Sequence, residues 1–175
     1  MTAPRVVLVG PPGAGKTTVG QLVAERLGVA LRDTDQDIEA AQGVSVQDIF
    51  VTHGEEHFRA LEEQAVATAV AEHDGVLSLG GGAVLSEATR TVLAGHRVVF
   101  LDIGLSAAAS RVGLGAGRPL LLGNVRARLK GLLDARRPLY TEVATFTVVT
   151  DDLGPGEVAD RIQAWLDPVS GEDEA

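Results

Sequence analysis

The apolar positions of the chain fall into two rhythms that alternate along its length. Val6-Val7-Leu8-Val9 is a short, mostly β-branched run with no polar position in it, the pattern of a strand buried on both faces of a parallel sheet. Directly after it, over 15–27, Val19, Leu22, Val23 and Leu27 recur at helical spacing, and Gly28 stands where a helix stops. VALRDTD predicts a second strand ending in acids. TDQDIEAA and SVQDIF predict two short helices, the second capped by Ser45, and 55–72 carries a long helical pattern. GVLSLG predicts a third strand and HRVVFLD a fourth. LSAAASRV reads as a helix, 124–135 as another that ends ahead of Pro138, TFTVVT as a fifth strand and GEVADRIQAWL as a last helix. Strands alternating with helices predict a single α/β domain with a parallel sheet, expected over 1–168. The glycine-rich stretch 113–117 predicts a mobile loop, and the acidic tail 169–175 is too polar to pack and is expected to be disordered.

Composition narrows the partners. A chain of 175 residues with 45% hydrophobic and 22% charged positions has the make-up of a soluble domain with a full core. Its 15 basic and 24 acidic residues leave a formal charge of −9, which argues against coating nucleic acid or an anionic membrane surface. An anionic ligand must then be held by a local site against the global field. The absence of cysteine excludes disulfides, thiolate nucleophiles and cysteine-ligated metals. The N-terminus lacks the apolar stretch of a signal peptide, and no run reaches the roughly 18 residues of a membrane helix, so the cytoplasm is the expected location.

The local anion site is easy to find. GPPGAGKT, Gly10 to Thr17, matches G-x-x-x-x-G-K-[ST] between a predicted strand and a predicted helix, the context in which the motif cradles phosphates. Backbone N–H groups of Gly13, Ala14, Gly15, Lys16, Thr17 and Thr18 are expected to face a nucleoside triphosphate. Lys16 is expected to reach the β- and γ-phosphates, and Thr17 to offer its hydroxyl to Mg²⁺. The motif alone does not separate a small-molecule kinase from a regulatory ATPase.

Four features beyond the loop bear on the second substrate. Asp33 and Asp35 sit where a sheet end would meet a ligand; one could accept a proton from an attacking hydroxyl, and helix capping is the alternative for Asp35. Arg59 follows an acidic turn on the long helix, where a surface ion pair is the plain alternative. Gly80, Gly81 and Gly82 follow a buried strand, and backbone without side chains there can form a small anion or hydroxyl site. Arg118, in the glycine-rich stretch, and Arg136, before Pro138, carry the planar fork that suits a carboxylate or phosphate. Four histidines show no partner pattern and read as solvated, and Trp165 with Ile162 and Leu166 reads as core.

GPPGAGKTT, LRDTD, IFVTHGEEHFRALE, LSLGGGAV, RPLL and RRPLY occur in the order and spacing of bacterial shikimate kinases, and the resemblance runs over about 5–165. It implies a three-layer P-loop NTPase fold of the nucleoside monophosphate kinase type, a five-stranded parallel sheet of order 2-3-1-4-5, and a mobile lid at about 112–123. It implies transfer of the γ-phosphoryl of ATP to the 3-hydroxyl of shikimate, with Mg²⁺, on the route to chorismate and aromatic amino acids, by a monomer. By position, Asp35 resembles the base that binds the reacting diol, and Asp33 a residue near the water shell of Mg²⁺. Arg59 and Arg136 resemble the pair that grips the shikimate carboxylate, and Gly80, Gly81 and Gly82 the backbone wall against the substrate. Arg118 resembles a catalytic lid arginine on the ATP phosphates and Arg111 a residue flanking adenine. A gluconate kinase of similar fold is the neighbouring alternative. One departure stands out: TDDLGPGE puts Leu153 and Gly154 where the family commonly carries Arg or Asn against adenine, which leaves apolar and backbone contacts there.

Overall fold

The computed structural model describes residues 2–111 and 119–167. The phosphate motif follows β1 (Val6–Val9) and opens α1 (Lys16–Leu27), whose end is set by Gly28 in the left-handed conformation. Then come β2 (Leu31–Asp33), α2 (Thr34–Gln42), α3 (Val46–His53) and α4 (Glu55–Glu72). Ser45 caps α3 as expected, its hydroxyl accepting from the Asp48 N–H. The chain continues through β3 (Val76–Ser78), a 3₁₀ turn (Ala83–Leu85), α5 (Glu87–Leu93), β4 (Val98–Asp102) and α6 (Leu105–Arg111). It closes with α7 (Pro119–Val143), β5 (Phe146–Val149) and α8 (Pro155–Leu166). The five strands are all parallel in the order β2-β3-β1-β4-β5.

β1 explains the two layers of helices. All four of its residues are buried, with Val6 and Leu8 in one core and Val7 and Val9 in the other. The first core takes Val19 and Val23 of α1, Ala108 of α6, Leu133 of α7 and Val158 and Ile162 of α8. The second takes Val66 and Ala69 of α4, Leu93 of α5 and Tyr140 of α7. A buried valine or leucine stabilises by roughly 1.5–3 kcal/mol, so a strand apolar on every position needs cover on both sides. Ile38, Ile49 and Phe58 form a third, smaller cluster under α2, α3 and α4. Trp165 stacks on Phe146 at 5.0 Å, half-buried against the first core.

Three expectations are corrected. Asp35 lies in the first turn of α2 rather than at the end of β2, because Asp33 is the helix cap: its carboxylate accepts from the N–H groups of Asp35 and Gln36. The 3₁₀ turn and α5 stand where the sequence pattern predicts no element; Ser86 caps α5 by accepting from the Thr89 N–H. The helix expected over 124–135 runs on through Pro138 to Val143. A proline there removes one intrahelical bond, but Leu133 before it and Tyr140 after it are both buried, and their packing holds the helix together. The lid stretch falls partly on 112–118, outside the described residues, and partly on the start of α7; residues 168–175 also lie outside them.

Candidate active site

The phosphate loop is shaped by close approach. A side chain at Gly10 would meet the Leu101 carbonyl oxygen at 2.6 Å, and its φ of 154° is rarely adopted by other residues. Gly13 and Gly15 turn the loop with φ of 84° and 92°. α1 starts with no side-chain cap and no acidic residue in its first turn, so its leading N–H groups and positive dipole end remain open to an anion. The Lys16 ammonium folds back over the loop and donates to the carbonyls of Gly10 at 2.6 Å and Pro11 at 3.1 Å. Burial pulls its pKa down to about 8, against the opposing pull of Asp35 and Asp33, with Arg136 adding to the decrease.

Across from the loop, Asp35 and the glycine triplet face each other. A Cβ on Gly80 would lie 2.6 Å from Asp35 Oδ1 and 2.9 Å from Glu62 Oε2. On Gly81 it would press on Pro12 at 3.2 Å, and on Gly82 it would overlap the Arg59 guanidinium. The triplet is therefore glycine because the chain's own carboxylates, its loop proline and Arg59 occupy the space side chains would need. Among the described residues, Asp35 Oδ1 is buried with no hydrogen-bond partner. Burial and then the neighbouring Asp33 raise its pKa, while Lys16 acts in the other direction. Among the described residues, the site thus holds a carboxylate oxygen without a donor and a lysine in no ion pair.

Arg59 is held rather than exposed. Its guanidinium donates to Glu62 at 2.7 Å and to Glu55 at 3.4 Å and lies over the rings of Phe58 and Phe50, at 5.3 and 5.7 Å from their centres. Its Nε is buried without an acceptor among the described residues. Glu62 is only 2% exposed, and burial raises its pKa although the hydrogen bond from Arg59 opposes this. Arg136 is half-buried, and no carboxylate of the described residues lies within ion-pair distance of it. Its charge is felt at Lys16, Glu62 and Tyr140, which places it in the same cleft.

On the other side of the loop, Arg111 donates to the Thr150 carbonyl at 2.8 Å, to its hydroxyl at 3.2 Å and to the Gly13 carbonyl at 3.3 Å. It lines a cavity of about 170 Å³ together with Ala14, Gly15, Thr18, Val19, Thr150, Leu153, Pro155 and Val158. Leu153 therefore faces the space next to the loop, in keeping with the departure in sequence. Thr17 is exposed at the start of α1 and Asp33 half-buried at the end of β2. These are hard oxygen donors, the type that fits Mg²⁺ shared with substrate phosphates. Arg118 lies outside the described residues.

The sequence model of the shikimate kinase family matches residues 12–167. The chain belongs to the shikimate kinase family. Among its relatives, the shikimate kinase of Streptomyces avermitilis is 61% identical over 167 residues, which is 95% of this chain and 96% of that protein. The shikimate kinase of Thermobifida fusca is 58% identical over 169 residues, 97% of this chain and 98% of that one. The solved shikimate kinase from Acinetobacter baumannii in complex with shikimate superposes with a TM-score of 0.85 at 35% identity, covering 95% of this chain and 93% of that one.

Within that family fold, the structure brings Lys16, Asp35, Arg59, Arg136 and the glycine triplet to one cleft, and sets Arg111 apart beside the loop. Two residues escape the sequence reading. Glu62 passes as one acid among many in GEEHFRALEE, yet it falls on the buried stripe Phe58, Glu62, Val66, Ala69 of α4, and a charge on an apolar stripe is the signal. Tyr140 closes the RRPLY motif; its hydroxyl donates to the Gly81 carbonyl. Of the histidines, His73 is not simply solvated: its Nε2 lies 3.0 and 3.1 Å from the Val76 and Ala30 carbonyls.

Proposed function

We propose that the chain is an ATP-dependent shikimate kinase. It transfers the γ-phosphoryl of ATP to the 3-hydroxyl of shikimate, giving shikimate 3-phosphate and ADP for chorismate and aromatic amino acid synthesis. The observation that carries this reading is the buried, unpartnered Asp35 Oδ1 facing the cleft across from the phosphate loop. An acceptor hydroxyl supplies the donor that oxygen lacks. As the hydroxyl oxygen bonds to the γ-phosphorus, its proton passes to Asp35 and the bond to the β–γ bridging oxygen breaks, leaving ADP. Lys16, drawn from the loop carbonyls to the phosphates, regains full charge beside them and stabilises the charge spread over the transferring group.

In this reading the unpaired Arg136 and the fixed Arg59 take the shikimate carboxylate, and Gly80, Gly81 and Gly82 form the wall against the ring. Gly13, Ala14, Gly15, Thr17 and Thr18 hold the phosphates. Arg111 and Leu153 flank the adenine, and Arg118, outside the described residues, is assigned to the ATP phosphates. Thr17, and Asp33 through water, would hold Mg²⁺, which would supply charge neutralisation for the phosphates. The enzyme works as a cytoplasmic monomer without nucleic acid or membrane partners; no described helix is long and apolar enough to cross a membrane. An ADP-release assay with shikimate, with gluconate and with no acceptor tests the assignment. Turnover should require shikimate; turnover with gluconate alone, or with no acceptor, refutes it.

A further inference from the structure

Peptide groups flanked by two glycines turn over more easily than any others in a protein, because neither side has a Cβ to block rotation. The Gly81–Gly82 peptide is such a group, and it lies in the candidate substrate wall. Its hydrogen bonding can be followed group by group. In the turn that starts here, the Gly80 carbonyl accepts from the Ala83 N–H, that of Gly82 from Leu85 and that of Ala83 from Ser86. The Gly81 carbonyl is passed over by this ladder and accepts from the Tyr140 hydroxyl. Among the described residues the Gly81 and Gly82 N–H groups find no acceptor. A peptide is planar and trans, so a carbonyl held on one side points the following N–H to the other.

Tyr140 is built to hold that carbonyl. It is 1% exposed, and its ring stacks on Phe100 of β4 at 4.9 Å and 29°. Arg136 lies one turn earlier on α7, and its charge acts on the Tyr140 hydroxyl. We infer that Tyr140 is a positioning residue: its hydroxyl pins the Gly81–Gly82 peptide so that the Gly82 N–H stays turned toward the acceptor substrate. The inference rests on the proposed function and adds a specific device to it. One helix, α7, then carries both the arginine proposed for the substrate carboxylate and the hydroxyl that sets the backbone wall.

Tyr140→Phe keeps the stacked ring and removes only the hydroxyl. The shikimate KM should rise roughly fivefold or more, the scale of one lost hydrogen bond. The affinity for ADP without shikimate should stay unchanged. A fold that is merely loosened would weaken both. Phe100→Leu serves as the control, since it disturbs the ring and keeps the hydroxyl: it should lower the Tm with little change in shikimate KM. An unchanged shikimate KM in Tyr140→Phe, or a parallel loss of ADP affinity, overturns the inference. Tyr140 is the single tyrosine of the chain, so global labelling with 3-fluorotyrosine gives one ¹⁹F line at this hydroxyl. If Tyr140→Phe does not fold, that line decides: a shift on adding shikimate but not on adding ADP supports the clamp, and no shift with shikimate overturns it. Wild-type turnover with shikimate is measured first, so a failure of the proposed function is seen separately from a failure of the clamp.

Discussion

Replacing Asp35 by Asn should make the protein more stable as it makes the enzyme inactive. Asp35 carries a buried oxygen with no donor, and burial together with Asp33 favours its neutral form despite the attraction of Lys16. The raised pKa is the net of these effects, so the charged carboxylate is disfavoured in the fold. Asn keeps the shape and removes the charge. A buried polar group without its partner costs about 1–3 kcal/mol and a charged one more. Asn keeps the unpartnered oxygen and sheds the charge, so the gain is that excess, taken as about 1–3 kcal/mol. A domain of this size gains roughly 2–4 °C in Tm per kcal/mol. The expected gain is therefore roughly 2–12 °C near pH 8. The sign with pH is fixed by linkage: a carboxyl whose pKa is raised by folding lowers stability as pH rises through that raised value. Below the ordinary aspartate value of about 3.9 the group is protonated in both states and the difference disappears. Thermal unfolding of wild type and Asp35→Asn from pH 4.5 to 8 should thus show curves that converge at the acid end. Turnover of the variant should fall by roughly 10²–10⁴, the range of a lost general base. A variant less stable than wild type at pH 8, or a gain that does not change with pH, refutes the reasoning; a loss of turnover below about tenfold would leave Asp35 as no more than a helix residue.

The lysine, the arginine and the glycines each give a separate test. Because free Lys16 has a pKa of about 8, phosphate binding should draw in about half a proton per nucleotide at pH 8. Calorimetry in buffers of different ionisation enthalpy should show this uptake in wild type and not in Lys16→Met, which should also lose turnover while keeping its circular dichroism. Arg136→Lys keeps the charge but not the two-point fork, and should cost about 1–3 kcal/mol in shikimate kcat/KM with ADP affinity unchanged. A substrate analogue with a neutral group for the carboxylate should be nearly insensitive to that change, and simple additivity of the two losses would remove Arg136 from the carboxylate. Gly82→Ala should drive Arg59 from its place and lower shikimate kcat/KM by about tenfold or more, on the scale of about 1.4 kcal/mol; near-normal kinetics would mean that Arg59 moves without consequence.

Most elements were legible because each carried its own periodicity, and the sheet order followed from the family resemblance. β1, α1 and α4 have patterns long or pure enough to stand alone. α5 has seven residues, too few for a helical stripe to declare itself, and only the Ser86 cap marked it. At α7 the local rule about proline was overruled by tertiary packing, since the burial of Leu133 and Tyr140 lies in contacts distant in sequence. In the site, motif positions such as Lys16 and Arg59 could be named from the chain alone, but what surrounds them could not. The glycines looked like room left for a ligand; much of that room is taken by Asp35, Glu62, Pro12 and Arg59. Glu62 was hidden for the same reason that it matters: its partner, Arg59, lets a carboxylate sit on an apolar stripe.

The place of β1 in the sheet also sets a schedule for the ribosome. The strand that leads into the phosphate loop is made first, at Val6–Val9, but its two neighbours are β3 (Val76–Ser78) and β4 (Val98–Asp102). At synthesis rates of roughly 5–20 residues per second, roughly 3–13 seconds pass before the first of them begins to be made. Throughout that interval four consecutive apolar residues, destined to be covered on both faces, have no edge to pair with. α1 and then α4, which pack on the strand's two faces, are helices made in time to cover it before those edges exist. Slow decoding before residue 76 lengthens the wait for an edge to pair with, whereas slow decoding after residue 102 delays only the covering of the faces by α6, α7 and α8.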